Sequence, residues 1–206
     1  MIQSIKQAVL DGALKEIESM VGAQLDAGVS PTEILDSMTV AMDEIGDAFQ
    51  RDEIFVPEMM ISAKTMQRGV AVLRPVLTAD SVGRYGKFII GTVAGDMHDI
   101  GKNLVALMIE AAGFEVIDLG VSVSTDAFVE AVKANPDCRL VGLSAMLTTT
   151  MTAMRNTVAA LREVRPELKI MIGGAPITQL FADEIGADVY TADAGSAAAG
   201  AKALAG

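Results

Sequence analysis

The stretch Asp96-Met97-His98-Asp99-Ile100-Gly101-Lys102-Asn103 holds the only histidine in the chain. A neutral imidazole is a good ligand for a transition metal, and a carboxylate two residues earlier can hold the other ring nitrogen and fix the tautomer. The plainer alternative is a loop at a strand end whose polar groups satisfy one another, which is what most isolated Asp-x-His pairs are. Cys138 is the only cysteine, so an internal disulfide and any multi-cysteine zinc or iron–sulfur site are excluded. One histidine and one cysteine make an all-protein metal cage hard to assemble. If His98 binds a metal, the remaining ligands belong to a cofactor, which points to a macrocycle with a single protein axial ligand.

Two further segments could line a ligand. Ser144-Ala145-Met146-Leu147-Thr148-Thr149-Thr150 puts four hydroxyls within seven residues, and Gly173-Gly174-Ala175-Pro176 pairs two glycines that let backbone approach a flat or bulky group. Each also has an ordinary reading, as a helix cap and as a turn respectively.

The elements that must position these residues follow from periodicity. Residues 1 to about 75 read as helices, and the spacing of Leu10, Leu14, Ile17 and Val21 predicts one apolar stripe on a single first helix. Ser30-Pro31-Thr32-Glu33 predicts a capping box opening a second helix with an inner face of Leu35, Met38, Met42 and Ile45, ending near Gly46. Pro57 opens another, carrying Met59, Ala63, Met66, Val70 and Leu73. Striped helices with short loops make a small bundle, expected over 1–78. Pro75, Asp80, Ser81, Gly83 and Gly86 interrupt the pattern, and a linker is expected at 79–86.

Beyond it, over 87–206, apolar runs at 87–94, 115–119, 140–144, 169–172 and 188–190 alternate with helical segments near 101–112, 124–134, 150–164, 177–185 and 193–205. That alternation predicts a doubly wound α/β domain with a five-stranded parallel sheet. The histidine loop, the hydroxyl loop and the glycine pair then all fall at carboxyl ends of strands, where open α/β sheets bind ligands.

Composition bounds the function. Hydrophobic residues make up 51% of the 206, so a core is assured, and 27 acidic against 16 basic side chains give a net charge of −11. No basic cluster interleaves with aromatics, which argues against a nucleic-acid partner. No apolar run reaches the roughly 18–20 residues of a membrane span. The first residues lack the basic start and apolar block of a signal peptide, so a cytoplasmic protein is expected.

In order and spacing, Asp96-x-His98-x-x-Gly101, Ser144-x-Met146 and Gly173-Gly174 resemble the Asp-x-His-x-x-Gly, Ser-x-Leu and Gly-Gly pattern of cobalamin-binding domains. The whole chain resembles the corrinoid proteins of methyltransferase systems, which join a helical-bundle cap to a Rossmann-like, flavodoxin-like cobalamin domain, as methionine synthase does in its central region. One departure stands out: the family's leucine is Met146 here, with Leu147 one place later. Methionine is a tolerant apolar substitute.

The resemblance implies a cobalamin or related cobamide bound base-off, with His98 as lower axial ligand to cobalt, Asp96 hydrogen-bonded to it and Thr150 as third member of the relay. Met97, Asp99, Ile100 and Gly101 would form the loop under the corrin. Ser144, Met146, Leu147, Thr148, Gly173 and Gly174 would line the slot for the nucleotide tail and ring edge. Phe55, Val56 and Met60 would shield the upper face.

It further implies a methyl carrier serving a donor-side and an acceptor-side methyltransferase, with a reductive activator. A methyl ether or methylamine is the favoured donor class, and tetrahydrofolate or coenzyme M the acceptor. The competing readings are a subunit of an adenosylcobalamin mutase, a cobalamin-dependent sensor, and a flavodoxin-like domain with an incidental histidine.

Overall fold

The computed structural model describes residues 2–73, 75–76 and 85–205. The chain divides into two compact units, Met1–Arg84 with Glu110–Gly113, and Tyr85–Ile109 with Phe114–Gly206. Of the linker expected at 79–86, positions 79–84 lie outside the described residues.

Among the described residues the first unit contains α1 (Ile2–Leu10), α2 (Ile17–Asp26), α3 (Pro31–Gln50) and α4 (Val56–Leu73). The single first helix read from periodicity is two helices. Gly12 takes φ +65°, and a Cβ there would stand 2.3 Å from Ile61 Cγ2, so the chain turns where α4 leaves no room for a side chain. In α3, Pro31 stands at the start as expected, but Ser30 makes no side-chain cap bond. The buried face holds Ile34, Met38, Ala41, Met42 and Ile45, with Ile34 taking the place expected for Leu35. The helix also runs through Gly46 instead of breaking there, and Gly46 is buried. At the head of α4 the Glu58 carboxylate accepts the Phe55 N–H at 2.8 Å, half of a capping box.

The second unit alternates β1 (Lys87–Thr92), α5 (Ile100–Ala111), β2 (Glu115–Asp118), α6 (Thr125–Ala134), β3 (Leu140–Ser144), α7 (Met151–Val164), β4 (Lys169–Gly173), α8 (Gln179–Ile185), β5 (Val189–Thr191) and α9 (Ala194–Ala205). All strands are parallel in the order β2-β1-β3-β4-β5. This is the doubly wound, Rossmann-like arrangement of flavodoxin-type order. Near-continuous burial along β1 and β3 reflects helices on both faces of the sheet.

Two glycines in central strands are packing devices. A Cβ on Gly91 would stand 2.8 Å from the Phe128 ring, and one on Gly142 would stand 2.6 Å from the Phe88 ring. The small residues therefore leave room for both aromatic rings at these strands. The core between the sheet and α6, α7 and α8 gathers Ile89, Val141, Met154, Val158, Ile170 and Phe181. No helix among the described residues is long and apolar enough to cross a membrane.

Candidate functional site

β1 and β3 are neighbours, but the chain leaves β1 toward β2 and leaves β3 toward β4. The connections from the two strands therefore run to opposite sides, which makes this carboxyl edge the switch point of the sheet, where open α/β folds bind ligands. The histidine loop and the hydroxyl loop meet there.

The histidine loop is built from β1 outward. Thr92, the last residue of the strand, is buried and donates from Oγ1 to the His98 carbonyl at 2.8 Å. A turn from Val93 closes through the Asp96 N–H to Val93 carbonyl bond at 3.1 Å, with Gly95 at φ +81°. That turn drives Asp96 inward, where its side chain is wholly buried.

Asp96 is the hub of the site. Its Oδ1 lies 2.7 Å from His98 Nδ1 and accepts the His98 N–H at 3.1 Å. Its Oδ2 accepts the Met146 N–H at 2.7 Å, the Leu147 N–H at 3.3 Å and the Thr150 hydroxyl at 2.8 Å. Burial by itself would push the carboxyl up, but these donors outweigh it and hold Asp96 well below the usual carboxylate range. In a neutral imidazole, an ionised Asp96 favours the tautomer with the ring proton on Nδ1, which leaves the Nε2 lone pair for a ligand. The His98 side chain is 53% exposed, so that lone pair is accessible to a ligand.

The donor set and the surroundings fit a cobalt macrocycle. Among the described residues no group of three or more His, Cys, Asp or Glu gathers to hold an ion, so a metal on His98 needs its other ligands from a cofactor. The flanking apolar side chains are turned outward, Met97 at 69% and Ile100 at 83% exposure, with Met146 and Leu147 also exposed. A patch of this kind suits a flat, largely apolar ring. A Cβ on Gly101 would meet nothing within 4 Å, leaving the loop surface uncrowded.

The remaining candidates fall in three places. Ser144 closes β3, Thr148 opens the 3₁₀ turn Thr148–Thr150, and Gly173 ends β4 beside them. Gly174, at φ +130°, passes so close to the hydroxyl loop that a Cβ would stand 1.8 Å from the Ala145 carbonyl oxygen. Asp99 is exposed and accepts from Asn103 Nδ2 at 3.2 Å. Phe55, Val56 and Met60 belong to the helical unit and are exposed within it at the head of α4.

Sequence reasoning missed several residues that brace the loop. Thr92 was overlooked, although a hydroxyl at the last position of β1 is a signal. Lys102 and Asn103 stand inside the same motif, directly after the residues assigned to the site, and were given no role. Ser122 left no sequence signal; at φ +50° its Oγ accepts the Gly95 N–H at 3.1 Å and its N–H donates to the Asp96 carbonyl at 2.9 Å.

Comparison with known proteins agrees with this geometry. Residues 86–202 match a B12 binding domain family, and residues 1–74 match a second family described as a B12 binding domain. The chain is 40% identical over 213 residues to dimethylamine corrinoid protein 1 of Methanosarcina acetivorans, covering 99% of this chain and 97% of that one. It is 39% identical over 207 residues to the trimethylamine corrinoid protein of Methanosarcina barkeri, covering 98% and 95%. A chain of the methanol:cobalamin methyltransferase complex MtaBC from Methanosarcina barkeri superposes with TM-score 0.86 at 28% identity, over 98% of this chain and 78% of that one. A helical unit followed by a parallel sheet of this order, with a histidine loop at its switch point and such relatives, places the chain in the B12-binding family of methyltransferase-system corrinoid proteins.

Proposed function

We propose that this protein is a methyl carrier that holds a cobamide base-off, with His98 Nε2 as the lower axial ligand to cobalt. When bound, the cobamide supplies a cobalt centre able to take up a methyl group and give it up again. Everything else is the work of the chain. Asp96 keeps the His98 ring oriented and its Nδ1 proton in place, Thr150 and the Met146 N–H hold Asp96, and Thr92 fixes the backbone of His98. Gly101, Met97, Asp99 and Ile100 form the loop under the ring. Ser144, Met146, Leu147, Thr148, Gly173 and Gly174 receive the tail and ring edge, and Phe55, Val56 and Met60 supply the apolar cover for the upper face.

The observation that carries this reading is the pair of a fully buried Asp96, held ionised by its donors, and an exposed His98 whose Nδ1 lies 2.7 Å from it. Its partners in this reading are a donor-side methyltransferase, an acceptor-side methyltransferase and a reductive activator, in a cytoplasmic methyl-transfer system; the likeness to a chain of a methanol:cobalamin methyltransferase complex supports a methyltransferase partner. Methylamines are the favoured donors given two relatives named for them, with methyl ethers next. The acceptor is tetrahydrofolate or coenzyme M.

The test loads the full chain with cobalamin, reduces it, and offers isotopically labelled methylamines, methanol or aryl methyl ethers, each with a methyltransferase specific for that donor class. Label on the protein-bound cofactor, with one donor class and with the matching methyltransferase only, is the expected result. Tight retention of adenosylcobalamin with no label from any donor would instead favour the mutase or sensor class.

A further inference from the structure

Lys102 is among the few charged side chains that the second unit buries, with 2% of its side chain exposed. Its ammonium pairs with Asp118 and donates to Asn103 Oδ1 at 2.7 Å. Asn103 in turn donates to Asp99 Oδ2 at 3.2 Å, and its backbone N–H bonds the Asp99 carbonyl at 2.7 Å. Asp118 closes the edge strand β2, opposite Ile90 of β1, and its other oxygen accepts the Gly120 N–H at 2.9 Å. A continuous run of polar contacts thus leads from the end of β2, through Lys102, to the residue directly after His98.

Removing an ammonium from water is unfavourable unless the geometry of its pairing is good, and an apolar side chain of similar volume packs such a position at least as well. Fold stability alone therefore does not account for a lysine here. What the contact does specify is position: it pins the first turn of α5, which starts two residues after His98, to the edge strand. Thr92 Oγ1 holds the His98 carbonyl from the other side. His98 is suspended between these two anchors, while Asp96 aims its ring.

We propose that Lys102, joined to Asp118 on one side and to Asn103 and Asp99 on the other, is the positioning residue that sets the His98 loop for axial ligation. The inference rests on the reading of His98 as the cobalt ligand, and it assigns Lys102 no contact with the cofactor. Loss of an outer partner of a metal ligand typically weakens the site about 10- to 100-fold.

The experiment compares wild type, Lys102→Met, Asn103→Ala and His98→Ala as full chains. Three properties are measured: the melting temperature without cofactor, the cobalamin affinity by visible titration, and the fraction of the reduced Co(II) form that carries an axial imidazole, by electron paramagnetic resonance. Asp118 is 38% exposed, so water can solvate it once Lys102 is gone, and Lys102→Met is expected to melt near the wild-type temperature. It should nonetheless bind cobalamin about 10- to 100-fold more weakly, with a reduced imidazole fraction although His98 is intact. Asn103→Ala, at an exposed position, should shift both in the same direction by less. Wild-type affinity and imidazole fraction in Lys102→Met overturn the proposal. If that variant does not fold, the same result in Asn103→Ala overturns it. A wild-type protein without an imidazole signal, indistinguishable from His98→Ala, overturns the parent reading as well.

Discussion

At the scale of single residues, Asp96 decides what His98 can do. A buried carboxylate with no partners would be neutral, and a neutral carboxyl could leave the imidazole in either tautomer. Backbone N–H groups from the neighbouring loop and the Thr150 hydroxyl keep the charge in place, so the ring has one arrangement. Thr150→Val, which preserves shape and removes one donor to that charge, is expected to lower stability by about 1.5–3 kcal/mol. Urea unfolding would report it as a lower midpoint with unchanged slope; an unchanged midpoint would mean that the hydroxyl does not hold the Asp96 charge. The Asp96 and His98 side chains could be named from the sequence because each is chemically conspicuous, whereas Thr150, one of four hydroxyls in its loop, was singled out only through the family resemblance. The Met146 and Leu147 N–H donors could not be named, since every residue but proline has one and only the meeting of two loops aims them.

At the scale of elements, the site depends on β1 and β3 lying side by side while their following helices part. Sequence alternation made the five strands and their helices legible to within one or two residues, because apolar runs buried on both faces contrast sharply with amphipathic helices. The helical unit was less legible. Leu10, Leu14, Ile17 and Val21 kept a helical phase across a turn, and only the contact with Ile61, remote in sequence, shows why Gly12 interrupts it.

Away from the site, Asp188 ties the last strands together: it accepts the Ile170 N–H at 2.8 Å and pairs with Arg162 of α7 and Lys169 of β4. Desolvation raises its carboxyl, but these partners outweigh it and hold Asp188 below its ordinary value. A depressed folded-state value means that the stabilisation is complete above the unfolded carboxylate range, near pH 4, and disappears as pH falls through the lower folded value. Asp188→Asn should therefore cost about 1–2 kcal/mol at pH 7, reduced from the full charged-bond figure because water reaches the pair. The gap from wild type should close below about pH 4 in melts across pH. A gap independent of pH would show that charge is not what Asp188 contributes.

At the scale of the whole molecule, a single histidine in 206 residues organises a chain with net charge −11 and no other concentration of metal ligands among the described residues. The scarcity that made His98 conspicuous in the sequence also makes it addressable. Supplying nitrogen-15 histidine during expression labels one side chain and leaves the cofactor's own nitrogens untouched. The decisive measurement is the electron paramagnetic resonance spectrum of the cobalamin-loaded Co(II) protein with and without that label. His98 ligation predicts that the axial nitrogen splitting changes from a triplet to a doublet on labelling and is absent in His98→Ala. A splitting that ignores the label would mean that the cofactor keeps its own base and that His98 is a loop residue.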